Sequence, residues 1–181
     1  VRAQICTEND DVMLVSAQGR AMRFRAKDVR IFNGRDSTGV RGIRLSDGDR
    51  VVAMSVIRHF DTTPGERAAY LKMRRAIEGM TDEPERDDEE ETVAEETLAQ
   101  DRYAEMSAAE SLILTITERG LGKLSSSHDY PARGRGGQGV AAMDRAMRGG
   151  AVVACFPVEL DDQIMLATSA GQSIRVPVEG I

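Results

Sequence analysis

The sequence predicts an all-β fold of blade-like, four-stranded antiparallel units carrying one α-helical insertion. Three observations lead there: a pattern is written three times, each full copy holds about four short strands, and a single segment replaces the pattern with helical spacing. Each copy runs from a hydrophobic strand through a Gly turn, a basic stretch and a Gly-rich loop to a second hydrophobic strand. The first has Val12-Met13-Leu14-Val15, Gly19, the run Arg20, Arg23, Arg25, Lys27, then Thr38-Gly39-Val40, Gly48 and Val51-Val52-Ala53-Met54. The second has Ile113-Leu114-Thr115-Ile116, Gly120, Lys123, Gln138-Gly139-Val140, Gly150 and Val152-Val153-Ala154-Cys155. A third begins with Ile164-Met165-Leu166, turns at Gly171 and carries Arg175.

The turn glycines separate repeat from insertion. Gly120 and Gly171 are 51 residues apart, Gly19 and Gly120 are 101 apart, and the surplus falls where strand alternation disappears. The chain accordingly divides into the end of a preceding unit (1–10), a blade (11–59), an acidic helical insertion (60–109), a second blade (110–160) and a partial blade (161–181). Val1-Arg2-Ala3-Gln4 aligns with Val51-Val52-Ala53-Met54, so the chain is expected to start and stop within units of a longer protein.

Within the first unit, Val12 to Ser16, Ala21 to Phe24, Val40 to Leu45 and Val51 to Ile57 read as strands bounded by Gly, Asp, Asn and Ser. One four-stranded sheet leaves both faces uncovered, so units must stack face to face, as a solenoid or as a closed ring. Leu14, Val52, Leu114, Val153 and Leu166 are the expected shared-core residues. In the insertion, Thr63-Pro64-Gly65-Glu66 has the form of a capping box opening a helix to about Glu78, with Gly79 as its stop and Tyr70, Met73 and Ile77 at helical spacing. The like-charge run from Asp82 to Glu91 reads as a solvated loop, and a second helix is expected from roughly Glu91 to Ala108. This insertion is expected to be an accessory outside the stacked blades.

The formal net charge of −6 hides two opposite signs. From His59 to Glu110 there are 16 acidic and 6 basic residues, whereas the rest of the chain has 14 acidic and 18 basic. A basic surface on repeats that flank an acidic insertion points to a polyanion partner. No apolar run approaches the roughly 20 residues of a membrane helix. Cys6 and Cys155 are too few for a disulfide framework and read as buried free thiols in a reducing, cytoplasmic compartment.

Several features that resemble catalytic motifs fail on context. Gly134-Arg135-Gly136-Gly137-Gln138-Gly139 has GxGxxG spacing, but it follows His128-Asp129-Tyr130-Pro131 where a buried strand should stand, and no long helix follows. Lys123 lacks the Ser/Thr and glycine spacing of a nucleotide phosphate loop. His59 and His128 have no ligand partner at a recognised metal spacing. No cofactor or metal is expected in this chain.

Electrostatics accounts better for the same loop. Its glycines free backbone N–H groups to approach an anion, and Arg133 and Arg135 can fork onto phosphate oxygens. A glycine-rich connection with merely solvated arginines is the alternative. Asn33-Gly34-Arg35-Asp36-Ser37-Thr38-Gly39 is the first unit's counterpart. The candidate phosphate contacts are Arg20, Arg23, Arg25, Lys27, Arg35, Arg41 and Arg44 in the first unit, Arg119, Lys123, Arg133 and Arg135 in the second, and Arg175 in the third. Repeated at a fixed period, they would form a curved track that bends duplex DNA through its backbone.

Thr38-Gly39-Val40-Arg41-Gly42-Ile43-Arg44-Leu45 and Asp47-Gly48-Asp49-Arg50-Val51-Val52 closely resemble the C-terminal domain of the bacterial gyrase A protein, the DNA-cleaving half of DNA gyrase. So do Gly120-Leu121-Gly122-Lys123, the Gly-Arg-Gly-Gly loop and Asp162-Gln163-Ile164-Met165-Leu166. The resemblance covers both full repeats and the partial third. It implies a propeller-like β-pinwheel, of which this chain would hold about two and a half of six blades, and a role in DNA binding and wrapping. It also implies partners: double-stranded DNA, the rest of the gyrase A protein, and gyrase B in a heterotetramer of two copies of each that supercoils DNA with ATP and Mg bound elsewhere. The related domain of topoisomerase IV and a propeller-type protein scaffold are the alternatives. Ala132-Arg133-Gly134-Arg135-Gly136-Gly137-Gln138-Gly139 departs from the family's box, Gln-(Lys/Arg)-Arg-Gly-Gly-(Lys/Arg)-Gly, by holding Gln138 at a basic position, so the box itself is expected upstream of Val1. Arg102-Tyr103 lacks the setting of the family's cleavage tyrosine, so no strand-cleaving chemistry is expected here.

Overall fold

A computed structural model describes residues 2–79, 97–143 and 149–181. In chain order the elements are β1 (Asp10–Ser16), β2 (Arg20–Arg25), β3 (Val51–Arg58), α1 (Pro64–Glu78), α2 (Gln100–Ala109), β4 (Leu112–Thr117), β5 (Gly122–Ser126), β6 (Val140–Ala141), β7 (Val152–Val158), β8 (Gln163–Ala167) and β9 (Ser173–Pro177). The strands form three antiparallel sheets in the orders β3-β1-β2-β6, β5-β4-β7 and β8-β9.

The internal repeat is reproduced residue by residue in the strand register. Met13 faces Arg23, Leu114 faces Leu124 and Met165 faces Arg175 at the same position of three hairpins. Each hairpin turns at a glycine in the left-handed region: Gly19 (φ 78°), Gly120 (φ 81°) and Gly171 (φ 81°). Each second strand also runs into a single 3₁₀ turn, at 26–28, 127–129 and 178–180.

A register shift recurs as well. Ser16 pairs with Val51 while Val15 pairs with Ala53, and Thr117 pairs with Val152 while Ile116 pairs with Ala154. Val52 and Val153 are therefore the extra residues of equivalent β-bulges. This corrects one expected core position, because the bulge turns Val153 outward, leaving it half exposed, and Val152 is the fully buried residue.

Stacking places apolar clusters on both faces of the second sheet. Met13, Val15, Ala53 and Ile57 of the first sheet meet Ile113, Val152 and Cys155 of the second, with Tyr130 from just beyond the 127–129 turn. On the opposite face Leu114, Ile116 and Val158 pack with Val178, Ile164 and Leu166 of the third unit. Leu14, also expected in a core shared between units, lies instead with Val12 against Met22, Phe24 and Ile43 on the outer face of the first sheet.

Two further expectations are corrected here. Val40 to Leu45 is not a strand: Ile43 is buried on Phe24, and a Cβ at Gly42 would come within 2.5 Å of Leu14 Cδ1. The place beside β2 is taken by β6, which comes from the second repeat, so the first sheet's fourth strand is exchanged between units. Cys6 is exposed, and Cys155 alone is buried, its thiol pushed up by burial and 3.4 Å from Thr115 Oγ1.

The insertion's first helix forms as expected. Thr63 Oγ1 accepts from Glu66 N–H, Glu66 Oε2 accepts from Thr63 N–H, and Gly79 caps the other end at φ 72°. The expected acidic run from Asp82 to Glu91 lies outside the described residues, and the second helix is described over Gln100–Ala109. Tyr70 is buried between Tyr103 and His128, its ring centroid 4.9 Å from each, and burial pushes its hydroxyl up to about 12. Met73 and Ile77 stay exposed. Arg102 donates to Glu66, Glu105 and the Asp61 carbonyl, so the pair Arg102-Tyr103 serves as a helix-to-helix tie.

His128 roots this insertion in the second blade. Its Nε2–H donates to the Met106 carbonyl at 2.9 Å, and burial pulls its proton affinity below that of an ordinary imidazole. A folded-state pKa below the unfolded one means that the unfolded chain takes up the proton first. Stability is therefore full above about pH 6.5 and falls as the pH drops below it, by at most about 1.4 kcal/mol per pH unit for one group. Denaturant midpoints of the chain are expected to drop between pH 7.5 and 5.5, and His128→Gln to reduce that dependence; an unchanged slope in the variant would contradict the assignment.

Candidate nucleic-acid interface

The Gly-rich stretch of the second repeat does not hang in solvent; it is laid along the first blade. Arg133 N–H donates to the Arg23 carbonyl (2.9 Å), Gly136 N–H to Gly42 (2.7 Å) and Ala142 N–H to Gly19 (2.9 Å), while Gly137 accepts from Arg44 N–H (2.8 Å). Ala132 adds a parallel bridge to Arg23. Glycine is required at two points of this path. Gly139 is left-handed (φ 72°), and any Cβ there would run into the Ala21 carbonyl; Gly136 (φ 88°) passes over Arg41.

This path assembles charge that the sequence keeps about 90 residues apart. Arg135 donates from Nε to the Asp28 carbonyl (3.2 Å) and from a terminal nitrogen to the Arg41 carbonyl (3.1 Å), which fixes its stem and leaves the rest of the fork exposed. Arg41, Arg44 and Arg133 are exposed beside it. Arg35, on the first repeat's own Gly loop, and Lys27, on the 26–28 turn, are also exposed or half-exposed, and Arg20 is half-buried opposite Ala141. Arg119, Lys123 and Arg175 are exposed but stand on the second and third units, Lys123 opposite Thr115 and Arg175 opposite Met165. They do not join the cluster formed with Arg133 and Arg135.

Arg23 is a correction. Only 5% exposed, it donates from Nε to Asp11 Oδ2 at 2.7 Å and from its terminal nitrogens to the carbonyls of Ser127, Tyr130 and Arg58. Every nitrogen of its fork is engaged within the fold, so it ties blade to blade. Arg25 is half-buried, 2.8 Å from His59 Nε2 and 3.7 Å from Asp61 Oδ1. His59 in turn bonds Asp11 through Nδ1, and its bond to Asp61, together with its charge, holds the Asp61 carboxyl below the usual range.

Arg67 is a residue that sequence reasoning left out of the site. It stands on α1 and lines a cavity with Arg25, His59, Asp61 and Arg133. The negative net charge of the insertion masks it, and the one available signal was the basic side of the first helix, Arg67, Lys72, Arg74 and Arg75. Among the described residues no group of three His, Cys, Asp or Glu side chains is arranged to hold a metal ion, and no helix is long and apolar enough to cross a membrane.

Short antiparallel sheets stacked face to face, with a strand of one repeat completing the sheet of another, define a propeller-type blade protein. The chain belongs to the DNA gyrase C-terminal domain, beta-propeller family, whose model matches residues 10–58, 111–159 and 162–181. It is 47% identical to the gyrase A protein of Granulibacter bethesdensis over 97% of the chain and 20% of that protein, and 36% identical to that of Rickettsia bellii over 97% and 19%. The chain thus spans about a fifth of the length of these relatives. Among solved structures it is similar in fold to a DNA gyrase A C-terminal domain (TM-score 0.59, 16% identity, 99% of this chain and 41% of that one). It is similar also to the C-terminal domain of DNA topoisomerase IV (TM-score 0.61, 18% identity, 96% and 39%).

Proposed function

We propose that this chain binds and wraps double-stranded DNA as a non-catalytic part of a gyrase A protein. The observation that carries this reading is the clamped loop 133–139, which gathers Arg133 and Arg135 with Arg41 and Arg44 on one edge of the first blade. Backbone glycines and guanidinium groups at such an edge suit phosphate oxygens. Arg20, Lys27 and Arg35 extend the contact on the first blade, Arg119, Lys123 and Arg175 along the second and third units, and Arg25 enters it from the half-buried side. The wider assembly would be the cytoplasmic enzyme formed with the rest of gyrase A and with gyrase B, its ATP and Mg held outside this chain.

Affinity for random-sequence duplex is expected to fall log-linearly with salt, and each phosphate contact removed by substitution to flatten the slope by about 0.9. Fluorescence anisotropy across salt, with Arg135→Ala and Arg44→Ala beside the parent chain, measures this. Salt-insensitive binding, or strong preference for one site, would end the wrapping account.

A further inference from the structure

We infer that the cavity between the clamped loop and the insertion is a phosphodiester site, so that the acidic insertion supplies part of the DNA path. The inference rests on the DNA-binding reading and adds a site and a residue, Arg67, to it. The cavity is about 280 Å³ and three parts of the chain close it: β2 and the 26–28 turn, the 59–67 stretch leading into α1, and residues 130–134.

Its charges come from Arg25, Arg67 and Arg133, set against Asp28 and Asp61. Arg23, also in the wall, is matched by Asp11 behind it. Asp61 is turned to His59, with Oδ1 2.8 Å from Nε2. Arg25 is the movable donor. The same His59 Nε2 lies 2.8 Å from a terminal nitrogen of Arg25, and one ring nitrogen cannot accept from Arg25 and donate to Asp61 at once. The buried Nε–H of Arg25 has no hydrogen-bond partner either. An anion entering the cavity gives that guanidinium an acceptor and leaves His59 to Asp61, and Arg133 provides a second fork from the loop. Gly134 on the wall places no side chain in the way.

The test follows the two imidazoles of the full chain by NMR, since the sequence has only two histidines. Titration with a short duplex should move the His59 Cε1–H signal saturably, with His128, buried and bonded to Met106, as internal reference. In parallel, Arg67→Ala and Arg133→Ala should each flatten the salt slope of duplex binding by about 0.9, and the double variant should lose less affinity than the product of the single losses. Arg67→Lys should keep the slope, which separates lost charge from lost fold. Duplex binding with normal salt dependence, an unmoved His59 and no effect of Arg67→Ala would overturn the site and leave the wrapping reading standing. A His59 response to inorganic phosphate but not to duplex would overturn it too, in favour of a free-anion site. Absence of any duplex binding would instead remove the wrapping reading beneath it.

Discussion

Replacing Asp11 with alanine is expected to destabilise the chain by about 3–5 kcal/mol, the loss typical when one member of a buried ion pair is removed and the other is left behind. Asp11 is 0% exposed and accepts from Arg23 Nε at 2.7 Å and from His59 Nδ1 at 2.8 Å. Without it the guanidinium of Arg23 stays buried at the blade junction with only carbonyls of Ser127, Tyr130 and Arg58 to meet its charge. The second repeat shows how the same position is filled without charge: the residues equivalent to Asp11 and Arg23 are Leu112 and Leu124, and both pack on an apolar cluster. The paired change Asp11→Leu with Arg23→Leu should therefore recover most of the loss, since well-packed apolar replacements of buried ion pairs are often neutral. Urea midpoints of the single and paired variants decide it. A loss under about 1 kcal/mol for Asp11→Ala, or a paired variant as weak as the single ones, would show that the junction does not depend on this ion pair.

That comparison also marks what the sequence could and could not disclose. The three-fold pattern, its turn glycines and the capping box translate directly into structure because each is local: a left-handed turn needs glycine, and a helix start needs acceptors for its free N–H groups. The burial of Arg23 was legible only by reading the repeats against each other, where Asp11 accompanies Arg23 and Leu112 accompanies Leu124. Charge alone grouped Arg23 with Arg175, which occupies the same register position yet is exposed. The exchanged strand was not legible. Val40 to Leu45 has a strand's composition, and only the stacking of one unit on another decides that β6 fills the edge of β2 while Ile43 turns onto Phe24. The cluster of Arg133 and Arg135 with Arg41 is hidden for the same reason, because the exchange is what brings the two loops together.

Because fold and candidate interface share that exchange, one methyl group should disturb both. Gly139→Ala places a Cβ against the Ala21 carbonyl at a backbone φ of 72°, where a side chain is already strained. Neither neighbour can yield: Ala21 is 1% exposed in the junction core, and its partner across the ladder is Val140 itself. The loop must lift, and with it go the β2–β6 pairing and the hydrogen bonds that hold Arg133 and Gly136 on the first blade. The expected result is a chain whose three hairpins persist but whose first blade loses its fourth strand. Hydrogen exchange should show lost protection confined to Arg44, Arg133, Gly136, Val140, Ala142 and the residues of the first blade that pair with β6. Duplex affinity should fall further than after removing any single arginine, because Arg133 and Arg135 leave the edge together and the salt slope drops by about two contacts, or roughly 1.8. Gly34→Ala is the matched control, a loop glycine with nothing within 4 Å of a new Cβ. If Gly139→Ala bound DNA as tightly as Gly34→Ala, while losing the β6 protection, the clamped loop would be a structural strap and the phosphate contacts would have to be sought on the other blades.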